Sequence, residues 1–270
     1  MTALQCQGIK GKKDRLQHMD IILLFFAGVF GGMLNSIAGG GSFITFPALM
    51  AVGIPPVVAN ATNTFASCAG YISGAWGYRR ELYAQKSILL KTIVCSLLGG
   101  MLGAFLLLNT SESDFLKAIP WLLLFATLLF VFGGRINQAI GHRAERPKHP
   151  IILWLPALFL VLVSAYGGFF NAGLGIVTLS YLTLSGHRDI ITMNGLKLLI
   201  STSVSLIAVV IFIFNGSIDW WNGFVVMLGS VVGGYVSAVV ARNLNKIWVH
   251  RFVTMTSFVI TGYFFVKVYV

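Results

Sequence analysis

Two short stretches set polar groups and glycines inside otherwise apolar sequence, and they are built alike. "NSIAGGGS" (35–42) holds Asn35, the triplet Gly39, Gly40 and Gly41, and Ser42; "NAGLG" (171–175) holds Asn171, Gly173 and Gly175. Glycine interrupts a helix and bares its backbone. Within a membrane such a break survives only where the freed backbone is buried in protein or lines a wet cavity. A half-helix starting at the break has first N–H groups without carbonyl partners, with the positive end of its dipole behind them. An anion is the natural occupant. Ser42 is placed to act as an N-cap or as a hydroxyl donor to that ligand.

A polar helix start follows each break: "ANATNT" (59–64) and "TMNGLKL" (192–198). Asn60 and Asn63 are spaced to share a helix face, and the matching positions in the second copy are Asn194 and Lys197. Lys197 is the only charge well inside an apolar segment, and an intramembrane ionisable group is a candidate for function by default. The competing explanation is snorkelling to a nearby interface. These twelve residues form the expected substrate-binding set.

The acids inform by their absence from the membrane segments. Asp14, Asp20, Glu81, Glu112, Asp114, Glu145, Asp189 and Asp219 all lie at termini, helix ends or loops. A proton relay or a carboxylate-based sodium site therefore has no evident carrier. His187, Arg188 and Asp189 read as a solvated turn. Cys6, Cys68 and Cys95 are too scattered for a disulfide framework or a metal site. No H-E-x-x-H, C-x-x-C or Walker-type motif occurs. No metal, cofactor or enzymatic activity is expected, since an intramembrane enzyme would lack a nucleophile, a base and a metal set.

The elements that must carry these groups are apolar helices. The chain has 270 residues, 57% of them hydrophobic and only 10% charged, against roughly 25% charged in a soluble domain. Its mean hydropathy is +0.85. Apolar runs recur near 20–38, 42–53, 57–78, 87–108, 117–134, 151–168, 174–184, 192–214, 221–241 and 250–268. Several are long enough to span about 30 Å of hydrocarbon as helix, and none alternates as a β-barrel strand would. An all-α polytopic membrane protein with 8–10 membrane segments is expected. The run 42–53 is too short to cross as helix at about 1.5 Å per residue, so a half-length element is expected there.

The net charge of +11 does not point to nucleic acid. Of the 15 Lys and Arg beyond residue 20, 11 fall in the loops 79–91, 135–148 and 242–251, as in cytoplasmic loops of membrane proteins. The polar, basic residues 1–18 are either a cytoplasmic tail or an over-extended start with Met19 the true beginning. Topology favours the second, because both chain ends are expected outside.

An internal repeat organises the rest. "GGMLN" (31–35) recurs as "GGFFN" (167–171). At an offset of 134, Gly41 falls on Gly175, Asn60 on Asn194, and "SLLGGMLGA" (96–104) on "SVVGGYVSA" (230–238). The last two read as close helix packing through small residues. Loop 79–91 is basic and its counterpart 213–225 carries only Asp219; loop 109–114 is acidic and its counterpart adjoins Arg242, Lys246 and Arg251. With basic loops held in the cytoplasm, the halves lie upside down relative to each other, an arrangement common in secondary transporters. The expected organisation is a first repeat over 19–138, a basic cytoplasmic linker over 139–150 and an inverted second repeat over 151–270. Each repeat holds a glycine-broken helix pair followed by three transmembrane helices.

The segment "GGMLNSIAGGGSFITFPALMAVGIPPVVANATNT" (31–64), with its weaker copy at 167–198, resembles the TauE/SafE family of sulfite and organosulfonate exporters. The similarity runs from Met19 to the C-terminus. The second copy differs, with "GLG" for the glycine run and "GHRD" for the Gly53–Pro56 turn. The resemblance implies a multi-pass inner-membrane permease for small sulfur-containing anions such as sulfite, thiosulfate or sulfonates. A negative-inside potential contributes roughly 2.3 kcal/mol per charge per 100 mV toward anion efflux, so export is the expected direction. A passive anion channel and an uptake permease for another organic anion are the alternatives. The expected partners are the anion and the lipid bilayer, not nucleic acid, and a homodimer is compatible with the sequence.

Overall fold

The structure, a computed structural model, describes residues 3–37, 39–141, 150–187, 189–240 and 246–270; at 3–17, 36–37, 133–141, 150–154, 236–240, 246–250 and 252–253 it describes the backbone course alone. Most of the expected linker 139–150 falls outside these residues, as do Arg188 and Arg242.

All regular structure among the described residues is helical. The elements are α1 (Ala3–Ile37), α2 (Ser42–Ala51), α3 (Pro56–Gly77), α4 (Arg79–Ala84), α5 (Lys86–Leu108), α6 (Glu112–Gly141), α7 (Pro150–Phe169), α8 (Leu174–Leu184), α9 (Ile190–Asn215), α10 (Trp220–Val240) and α11 (Lys246–Tyr269). Every apolar run of the sequence becomes a helix, and α4 is an additional short helix inside the first basic loop. The polar residues from Ala3 onward continue α1 without a break. Windows in α1, α5, α6 and α9 are long and apolar enough to cross a membrane. The short elements α2 and α8, of 10 and 11 residues, reach only about 15–17 Å at 1.5 Å per residue.

Left-handed glycines mark the ends of these half-length helices. Gly39 (φ 79°) and Gly173 (φ 80°) sit in the two breaks, and Gly53 (φ 88°) and Gly186 (φ 86°) follow α2 and α8. An L side chain in this region costs roughly 1–2 kcal/mol, so glycine decides where the chain turns. Gly186 turns the second copy as Gly53 turns the first, although no prolines follow it.

The helices pack in exchanged partnerships. α1 lies most extensively against α10, and α7 against α5; α3 packs on α9, α6 on α11, α6 on α8, and α11 more lightly on α2. Without water to drive burial, such contacts depend on close van der Waals fit. A Cβ on Gly28 or Gly32 of α1 would overlap the carbonyl oxygen of Val226 or Ser230, and one on Gly229 or Gly233 of α10 that of Phe25 or Val29. Across the other contact, a Cβ on Gly99 or Gly103 of α5 would overlap the carbonyl oxygen of Val161 or Ala165. The two small-residue motifs are therefore helix contacts, as their spacing indicates.

Three acids stand at helix starts, where a negative charge suits the dipole. Asp189 accepts from the N–H groups of Ile191 at 3.3 Å and Thr192 at 3.0 Å. The hydroxyl and then the N–H of Thr192 hold its carboxyl below the usual carboxylate range. Asp219 accepts from the Asn222 N–H at 3.1 Å. Glu112, at the start of α6, accepts from the Val57 N–H at 2.8 Å and so closes the start of α3 as well.

Candidate substrate site

The two breaks touch. A Cβ built on Gly175 would stand 3.3 Å from the Gly39 Cα and carbonyl oxygen and 3.5 Å from the Lys197 Cδ. α9 thereby carries Lys197 to the meeting point of α1–α2 and α7–α8. The lysine is only 5% exposed, and no hydrogen bond or ion pair joins its ammonium to another described residue. A side chain this enclosed is not snorkelling. An unpaired charge in the centre of a membrane helix costs about 2.5–3.5 kcal/mol on insertion scales, so an anionic guest would stabilise the ammonium here.

Three asparagines tie helices together on either side of the breaks. Asn60 Nδ2 donates to the Phe169 carbonyl at 3.0 Å, bridging α3 to the end of α7. Asn63 Oδ1 accepts from the Thr45 hydroxyl, which ties α3 to α2. Asn171 Oδ1 accepts from the Tyr71 hydroxyl at 3.4 Å, and that hydroxyl also lies beside the side chains of Asn35 and Ser42. Each amide keeps a buried atom with no partner among the described residues: Asn60 Oδ1, Asn63 Nδ2 and Asn171 Nδ2. Buried polar atoms are ordinarily satisfied, so these three atoms keep unused bonding capacity. The backbone N–H groups of Gly40, Gly41, Ser42 and Gly175 also donate to no other described residue, as the first turns of α2 and α8 require.

Several of the twelve residues have plainer roles. Ser42 does not cap α2: the N-cap is Gly41, in helical conformation and without a side-chain cap. Ser42 is instead the first helical residue, buried beside Tyr71. Gly41 is demanded by packing, since a Cβ there would overlap the Gly31 carbonyl oxygen and crowd the Asn35 Cβ at 2.9 Å. Gly173 is fixed by its φ and by Ala126, whose Cβ would lie 2.5 Å from an added methyl. Asn194 is half-buried, and no described hydrogen bond reaches it.

Other residues of the site were not singled out by the sequence. Tyr71 touches both breaks, and its only signal was its position eleven residues, or about three turns, beyond Asn60 on α3. Thr45 carries no signal beyond a hydroxyl in an apolar helix. Ser201 and Ser205 continue the Lys197 face of α9 at four-residue steps, and both hydroxyls are buried without a partner among the described residues. Among the described residues no three His, Cys, Asp or Glu side chains gather to hold a metal. Two cavities, of about 360 and 760 Å³, lie elsewhere and share none of these residues.

One enclosed cation at the contact of two half-helix starts, with free backbone N–H groups beside it, can hold a small oxyanion. The comparisons with known proteins agree with a transport role. The chain is 30% identical over 243 residues to a "Probable membrane transporter protein" of Haemophilus influenzae, covering 90% of this chain and 93% of that one. It is 29% identical to "Probable membrane transporter protein YfcA" of Escherichia coli, covering 89% and 87%, and 30% identical to "Probable membrane transporter protein ORF9" of a Sinorhizobium species, covering 84% of each. No solved structure matches the chain significantly. Residues 24–264 match the family described as sulfite exporter TauE/SafE, and the chain is a member of that family of membrane transporters.

Proposed function

We propose that this transporter exports small sulfur-containing anions, such as sulfite, thiosulfate or sulfonates, across the inner membrane. Two inverted repeats would alternate access to a site where their breaks touch. Lys197 is the observation that carries the substrate's charge: it is enclosed at that point with no protein counter-ion among the described residues. The orphaned amide atoms refine the class. Two of them, on Asn63 and Asn171, are donors, and the third, on Asn60, is an acceptor. An oxyanion bearing one proton, as hydrogensulfite does, satisfies both kinds. The exchanged packing of α1–α10 and α7–α5 supports the repeat. So do the left-handed glycines, Gly39 and Gly173, at the sequence offset of the two copies.

Thermal stabilisation of the purified protein tests this against sulfite, thiosulfate, sulfoacetate, taurine, sulfate and chloride. A rise in Tm with a sulfur anion, abolished in Lys197→Met, is the expected outcome. A shift with chloride alone would favour a passive anion channel. Equal shifts in wild type and Lys197→Met would take Lys197 out of the site. For a carrier, flux in proteoliposomes saturates with substrate and is accelerated by substrate on the far side.

A further inference from the structure

A groove of about 760 Å³ lies between α3, α4, α5 and α9, away from the candidate substrate site. Its volume falls within the roughly 300–1,000 Å³ of small-molecule sites. Ile72, Leu89, Ile93 and Leu199 form apolar walls, and Arg79, Trp76 and Tyr83 stand at one end. We propose that this groove holds one acyl chain of an anionic phospholipid, with Arg79 engaging the phosphate.

Depth, rim and charge each point to a lipid. From Ala69 to Trp76 the α3 wall rises about 10 Å at 1.5 Å per residue, within one leaflet of a hydrocarbon core about 30 Å thick. A groove confined to one leaflet and ending at a charged rim has the proportions of part of an acyl chain rather than of a transmembrane partner. The rim is aromatic and basic: Trp76 is 70% exposed and Tyr83 63%. The Arg79 guanidinium stands 5.4 Å over the Trp76 ring and donates to the Trp76 carbonyl at 3.2 Å. The Lys86 ammonium lies 5.7 Å from the Tyr83 ring. Amphipathic rings seat at headgroup level, and basic pockets between membrane helices take anionic headgroups. A second copy packed on this face by two-fold symmetry would set Arg79, Arg80 and Lys86 against the same three residues. Like charges oppose that contact and favour a negative occupant.

Native mass spectrometry of the full-length protein, released from micelles doped with equal phosphatidylglycerol and phosphatidylcholine, tests the assignment. One phosphatidylglycerol per chain should be retained in preference to phosphatidylcholine. Arg79→Gln should cut that retention about fivefold, the effect of one basic residue at a membrane surface. Leu89→Trp and, independently, Ile72→Trp should abolish it by filling the groove, with the anion-induced Tm shift preserved as evidence of folding. Equal retention of both lipids, or retention unchanged by Arg79→Gln and by both tryptophans, would overturn the proposal. So would stabilisation by inorganic phosphate alone at the same site, or a tryptophan variant that changed oligomeric state without losing lipid.

Discussion

At the scale of the residue, Tyr71 links the two breaks more fully than any asparagine does. Its hydroxyl, on a side chain 3% exposed, donates to Asn171 and lies beside Asn35 and Ser42. Tyr71→Phe removes that hydroxyl with little change of shape. Interhelical hydrogen bonds in membranes average about 0.6 kcal/mol and reach about 1.7, so the variant should fold with a modestly lower Tm. Its effect on substrate should be larger, because Asn171 then loses the partner that orients its free Nδ2. A reduced anion-induced Tm shift in Tyr71→Phe, against an unchanged shift in Tyr263→Phe at an exposed tyrosine, is the expected result; equal shifts would make Tyr71 a packing residue only. Lys197, Asn60, Asn63 and Asn171 were legible in the sequence because a charge or an amide is costly in an apolar run and stands out there. Tyr71, Ser201 and Ser205 were not, since tyrosine and serine pass as ordinary membrane-helix residues and only the folded chain shows which way they face.

At the scale of the element, the two half-helices meet in a backbone contact so close that an added methyl group would have to push it apart by a few tenths of an ångström. The Cβ of Gly175→Ala would press on the Gly39 Cα and carbonyl at 3.3 Å, and backbone gives way less readily than a side chain. Overpacking of this kind costs typically 1–3 kcal/mol. Gly175→Ala should fold, lose Tm and lose anion binding together, since the breaks must part beside Lys197. Gly53→Ala provides the comparison: nothing lies within 4 Å of its added Cβ, so only the strain of its φ applies, roughly 1–2 kcal/mol. That variant should lose Tm and keep the anion-induced shift. If both variants behave alike, the contact of the breaks is structural and not part of the site. The positions of the breaks could be read from glycine interrupting apolar sequence. The capping of α2 could not, because a cap depends on backbone torsion: Gly41 adopts φ −59°, ψ −36°, which draws Ser42 into the helix. Nor does spacing along one chain reveal that α1 would choose α10 and α7 would choose α5, as that choice rests on which small-residue faces meet.

At the scale of the whole molecule, the distribution of charge bears on what drives transport. Among the described residues Glu112, Asp114, Asp189 and Asp219 stand at helix starts, Glu81 lies in the short helix α4, and Asp14 and Asp20 lie in the first part of α1, while the buried interior offers one lysine and a set of amides and hydroxyls. On the proposed reading, an interior with no buried carboxylate among the described residues makes the membrane potential the driving force to test first. At 100 mV, negative inside, a monovalent anion gains about 2.3 kcal/mol on leaving, equivalent to about a fiftyfold outward concentration ratio. In proteoliposomes loaded with sulfite and clamped by potassium and valinomycin, efflux should rise with inside-negative potential and reverse when the potential is reversed. It should be indifferent to a sodium gradient and to a pH gradient at constant hydrogensulfite concentration. Flux that followed either cation gradient and ignored the potential would mean that the amide and hydroxyl groups around Lys197 bind a coupling ion. The Ser201 and Ser205 hydroxyls, one and two turns beyond that lysine and unpartnered among the described residues, would then be the first side chains to replace with alanine.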